Sequence, residues 1–177
     1  MMNPSYYVTD HLGNRVPVHI RPARENDYQQ TVSDHWQTKW TSKYIQNREH
    51  ERFAMEAATT GELLGLLACK PLPKDNCLRL VYMEAQPQSN PTLVKSKPKK
   101  YNGVGKGFIA FGVYYAITLG MDGTLSFKAK TSELLDSYKK RYGARQLFYD
   151  DFEMILFPEA GLPILNDYLE EESEDDR

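Results

Sequence analysis

Residues 100–119 read KYNGVGKGFIAFGVYYAITL: a basic lead-in, then Gly103, Gly105 and Gly107 at alternate positions, then an apolar segment with helical spacing. Glycines so placed let the backbone approach a ligand closely and take φ values closed to other residues. A helix that starts there presents free amide N–H groups. Its dipole favours negative charge at the same end. Glycine turn and helix start together make a phosphate site.

Two common phosphate patterns fail on inspection. A P-loop would need Gly at position 100 and Ser or Thr at 107, where the chain has Lys100 and Gly107. A dinucleotide fingerprint matches in letters over Gly105-Lys106-Gly107-Phe108-Ile109-Ala110. That fingerprint must follow a strand directly, and here a loop rich in Lys and Pro precedes it.

At 177 residues the chain suits one domain, residues 1–169, with an acidic tail, residues 170–177, expected to be disordered. The net charge of -2 argues against a dedicated nucleic-acid binder, so no DNA partner is expected. Cys69 and Cys77 form no CxxC pair and do not cluster with the histidines, so no metal is expected. Cys69 reads as core lining, and so few cysteines suit a reducing cytosol. The N-terminal residues show no basic-then-apolar leader. No apolar run approaches ~20 residues. A cytoplasmic location with no membrane association is expected.

Residues 5–8 and 16–21 read as strands around a turn at Gly13-Asn14. Residues 23–47 have helical tendency, with Asn26 or Asp27 as a cap. Trp36 and Trp40, four apart, share a helical face that is either core or a groove wall. Residues 53–57 and 62–70 form a second hairpin, and the continuous run LLGLLAC points to a strand covered on both faces. Residues 78–85 make the next strand. Residues 86–100 carry three prolines and four lysines. They read as a long mobile loop, either a solvated surface or an electropositive mouth for an anionic ligand. A helix over 106–119 ends at Gly120. A short strand at 124–129, a helix capped by Thr131 or Ser132 and stopped by Gly143, and a strand or strand pair at 146–157 follow. Residues 158–169 read as a helix interrupted at Pro163.

Lys100-Tyr101-Asn102-Gly103-Val104-Gly105 fits the pattern [Q/R]xxGx[G/A], with Lys in place of the usual Gln or Arg. Before it stands Val81-Tyr82-Met83-Glu84 at a strand end. After it comes Ala129-Lys130-Thr131, then Tyr138, then Gly143-Ala144. With these three segments in order, the chain resembles the GCN5-related N-acetyltransferases over nearly its whole length, and bacterial members in particular. The resemblance implies an α/β (α+β) fold with a central mixed, mostly antiparallel sheet flanked by helices. It departs from the family at residues 86–99, a long insertion where the family has a short link.

The resemblance implies transfer of an acetyl group from acetyl-CoA, a cosubstrate, to an amine. The pyrophosphate would lie on Lys100, Tyr101, Asn102, Gly103, Val104, Gly105, Lys106 and Gly107, through backbone amides and the two lysine charges. Glu84 is the candidate general base for the amine, or else an exposed strand-end carboxylate. Tyr138 stands where the family places the proton donor for the departing thiolate, or else it is a core tyrosine. Asn90 would orient the acceptor, or else it is a turn residue before Pro91. The partner is an amine-bearing small molecule or protein, and a homodimer is left open. The competing reading is a non-catalytic acyl-CoA-binding or interaction module on the same fold.

Overall fold

The computed structural model describes residues 3–148 and 151–169, and the acidic tail lies outside them. β1 (Tyr7–Asp10) and β2 (Arg15–Pro22) form the first hairpin, followed by α1 (Glu25–Ser33). β3 (Glu51–Ala57), β4 (Leu63–Leu72) and β5 (Cys77–Ala85) come next. Then follow β6 (Tyr101–Asn102), α2 (Val104–Thr118), β7 (Leu125–Lys128) and α3 (Ser132–Tyr142). β8 (Arg145–Gln146), β9 (Glu153–Leu156) and α4 (Pro158–Asn166) complete the described chain. The strands make one sheet in the order β6-β1-β2-β3-β4-β5-β7-β9-β8. Neighbours run antiparallel except β5 and β7, which are parallel. Among the described residues no helix is long and apolar enough to cross a membrane.

Each face of the sheet carries its own core. Leu64, Leu67, Leu78 and Leu80 join Phe108, Ile109 and Val113 of α2 and Leu165 near the end of α4. On the other face Tyr28, Trp36, Trp40 and Ile45 cover Ala54, Leu66 and Ala68. The run LLGLLAC on β4 thus serves both cores, which is why it alternates with nothing polar. Gly65 lets the start of α2 settle onto β4: a Cβ there would stand 2.7 Å from Phe108 and 2.8 Å from Val104.

The structure corrects several expectations. Residues 34–50 form no second helix but a chain of turns. Trp36, Trp40 and Ile45 still bury themselves, and tertiary packing sets the backbone there rather than helical spacing. α1 is capped at Arg24, and Asp27 is the residue that reaches back, accepting from Arg24 N–H at 2.7 Å. α4 runs through Pro163 instead of breaking there. The turn residues behave as their chemistry dictates. Gly13 and Gly61 hold positive φ at the hairpin tips, and Thr131 caps α3 by accepting from Leu134 N–H.

Candidate active site

β5 and β7 are paired only at Leu78–Leu125 and Arg79–Ser126. β5 continues to Ala85 without that partner, so the two strands part. Arg79 fastens the base of the split through a two-pronged ion pair with Glu153 of β9, at 2.6 and 2.8 Å. Within β5 a bulge opposite Ala68 and Cys69 leaves Val81 without a pairing partner on β4. A cleft of about 1660 Å³ opens along the split and is lined from both faces of the sheet.

α2 starts at one end of this cleft. Its N-cap, Gly103, has a φ of 98°, a left-handed conformation that glycine adopts without strain. The amide of Gly107 already donates to Gly103 O at 2.9 Å. The amides of Val104, Gly105 and Lys106 precede the first helical bond and have no acceptor within the helix. Gly105 lines the cleft, and a Cβ there would meet only Met83 at 3.8 Å.

The glycine-loop residues divide in space. Tyr101, Asn102, Gly103, Val104, Gly105 and Lys106 line the cleft, whereas Lys100 and Gly107 do not. Lys100 pairs with Glu62 at the β3–β4 turn, and the Tyr101 hydroxyl donates to the same carboxylate at 2.8 Å. Burial and that bond push the Tyr101 hydroxyl up to about 12. Gly107 instead faces Met55, whose methyl would lie 2.9 Å from a Cβ. Lys106 lines the cleft with its ammonium on Asp167 at 2.6 Å.

Lys99 and Arg141 also line the cleft. Burial and the Arg141 charge both hold the Lys99 ammonium below its ordinary value. Two cations set near one another in a cleft that the free helix amides also line favour an anion there. The sequence reading missed Arg141 and did not single Lys99 out from the lysines of residues 86–100. Arg141 could have been found, because it lies three residues after Tyr138 on the same face of α3. Lys99 could not, since nothing local distinguishes it from Lys100.

Glu84, Tyr138 and Asn90 all line this cleft. Glu84 is 4% exposed, not an open strand-end carboxylate. It accepts from Thr38 N–H at 2.9 Å and from Trp40 Nε1–H at 3.4 Å. The turns of residues 34–50 thereby hold the carboxylate, which is one physical reason they are not helical. Tyr138 rests edge-on to Phe127 at 5.1 Å, and its hydroxyl has no hydrogen bond among the described residues. Burial, then Tyr142, raise it above the ordinary tyrosine value.

Asn90 is buried, accepts from Thr92 N–H at 3.0 Å and donates to Gln37 Oε1 at 3.3 Å. The insertion is closed at its base: Lys100 N–H donates to Gln88 O at 3.0 Å and Tyr101 N–H to Ser89 Oγ at 3.1 Å. Gln86 anchors it further to Leu63 O. The expected open loop is a tethered flap.

No family model matches the chain, and no curated protein matches it. Solved structures do. A Vibrio cholerae protein assigned as a ribosomal-protein-serine acetyltransferase is 14% identical with a TM-score of 0.54, over 89% of this chain and 100% of that one. A chimera of the spermidine N-acetyltransferase SpeG from Vibrio cholerae and hSSAT is 13% identical with a TM-score of 0.53, over 82% and 98%. A protein from Exiguobacterium assigned as an acetyltransferase is 14% identical with a TM-score of 0.51, over 82% and 97%. Together with the open, mostly antiparallel sheet and its flanking helices, these likenesses establish that the chain has the fold of the GCN5-related N-acetyltransferases.

Proposed function

We propose that the chain is an acetyl-CoA-dependent N-acetyltransferase. The observation that carries this reading is that Glu84, Tyr138 and the free amides of α2 line one cleft where β5 and β7 part. The amides of Val104, Gly105 and Lys106 suit a pyrophosphate, with Lys99 and Arg141 at hand for its charge. Acetyl-CoA supplies the activated acyl carbon.

The chain's own groups then serve the transfer. Glu84 takes a proton from the amine, directly or through one water. The amine nitrogen bonds to the acetyl carbon as the carbon–sulfur bond breaks. The backbone amide of Val81, at the bulge of β5 and lining the cleft, is the candidate donor to the negative charge that gathers on the carbonyl oxygen. Tyr138 gives its proton to the departing sulfur. Its raised value keeps that proton in place through the neutral range.

The test is release of free thiol from acetyl-CoA in the presence of an amine panel. Amine-dependent release is expected. Tight CoA binding with no release for any amine would overturn the reading and favour a binding module.

A further inference from the structure

The cleft has a second half, on the face covered by residues 34–50, and its charges are mostly spent. Lys70 is paired with Glu49 at 2.7 Å, Arg79 with Glu153, and Lys128 with Asp151 at 3.5 Å. Lys130 lines this half, and no carboxylate pairs with it among the described residues. Its ammonium stands 5.9 Å from the centre of the Tyr82 ring. That ring meets Tyr44 edge-on at 6.1 Å. Continuing the β5–β7 register beyond Arg79–Ser126 brings Lys130 level with Met83, between Tyr82 and Glu84 and across the open split.

The Glu84 carboxylate and an ammonium with no carboxylate partner among the described residues therefore line the same half of the cleft, with the Tyr82 and Tyr44 rings beside them. A polycation would find little to hold it here, because Glu49 is already taken by Lys70 and Glu84 is a single charge. On the acetyl-transfer reading proposed above, we infer that the acceptor is a small amine that also carries its own carboxylate, with its nitrogen at Glu84 and its carboxylate at Lys130. Tyr82 and Tyr44 receive the remainder of the molecule.

The test uses matched amines that differ only by a carboxylate: phenethylamine with phenylalanine, histamine with histidine, cadaverine with lysine, and spermidine as the polycation. Binding to CoA-saturated protein is measured by calorimetry, and turnover is measured separately by thiol release. In at least one pair the carboxylated member should bind and turn over roughly tenfold better than its partner. Lys130→Ala should abolish that ratio, Lys130→Arg should keep it, and CoA affinity should stay unchanged in both. Equal binding of the two members of every pair, a preference for spermidine, or a ratio indifferent to Lys130→Ala would overturn the inference. If the ratio appears in binding while no amine is acetylated, the carboxylate-bearing amine stands as the ligand of this half of the cleft and the acetyl-transfer reading falls.

Discussion

Thr38 and Glu84 lie 46 residues apart in the chain, and the backbone N–H of Thr38 donates to Glu84 Oε1 at 2.9 Å. The bond joins the turns that replace the expected helix to the end of β5. On the proposed function it makes one carboxylate answer for both local structure and chemistry, and two substitutions separate these roles. Glu84→Gln keeps an acceptor for Thr38 and should lower kcat by about 100-fold or more with a modest loss of stability. Glu84→Ala strands the Thr38 and Trp40 donors and should cost a further ~1–3 kcal/mol in urea unfolding.

Tyr138→Phe should reduce kcat by roughly 100-fold and leave the Kd for CoA unchanged. Stability should hardly move, since the hydroxyl makes no hydrogen bond among the described residues. The alkaline limb of the pH–rate profile should lie above the ordinary tyrosine range, near 10, because burial and Tyr142 raise this group. Full activity in the variant would leave Tyr138 a packing residue only.

Two glycines should fail in opposite ways. Gly65→Ala drives a Cβ to within 2.7 Å of Phe108 and 3.1 Å of the Glu84 carbonyl. Overpacking there should cost about 1–3 kcal/mol, read as a lower urea midpoint. Gly105→Ala meets only Met83 at 3.8 Å and adds helix propensity. It should keep or raise the midpoint while weakening CoA binding, because its methyl intrudes on the anion end of the cleft.

Asp27 links α1 to β2 through Arg21, whose two terminal nitrogens donate at 2.8 and 3.0 Å, and it also accepts from Arg24 N–H. Burial alone would raise the carboxyl, but the Arg21 bonds and the Arg24 bond outweigh it and hold it below its ordinary value. The stability it contributes is present above the unfolded value, near 4, and is lost as pH falls through the lower folded one. Asp27→Ala should cost roughly 3 kcal/mol at neutral pH. In that variant the acid side of the stability curve should flatten, which urea melts between about pH 2 and 6 would show.

The parts of the fold that depend on local chemistry were legible. Gly120 and Gly143 end α2 and α3 with positive φ, and Thr131 begins α3, all as their residue types demand. The glycine run was read as a ligand site from its own letters, and the structure sets most of it on the cleft. What was not legible depends on distant partners. The spacing of Trp36 and Trp40 is helical, yet Glu84 and the sheet claim that segment. β6 is two residues long and exists only because Tyr101 and Asn102 meet Asp10 and Thr9 of β1. That pairing turns Lys100 toward Glu62 and leaves Lys99 to the cleft, a choice that no run of four lysines announces. Asn90 needed Gln37, 53 residues away in the chain, before its burial made sense.

The parting of β5 and β7 has a consequence for how such a chain can change. The sheet acts as a partition with one doorway, and on the proposed function the donor and the acceptor arrive on opposite sides of it. α2 and α4 support the donor side through the core around Phe108 and Leu80. Trp36, Trp40 and Ile45 support the acceptor side through a separate core. On that reading, substitutions around Tyr44, Tyr82 or Lys130 should alter which amine is admitted without disturbing the separate core around Phe108 and Leu80. If the proposed function holds, acceptor choice and donor binding are inherited as two separable traits that meet at Glu84 and Tyr138.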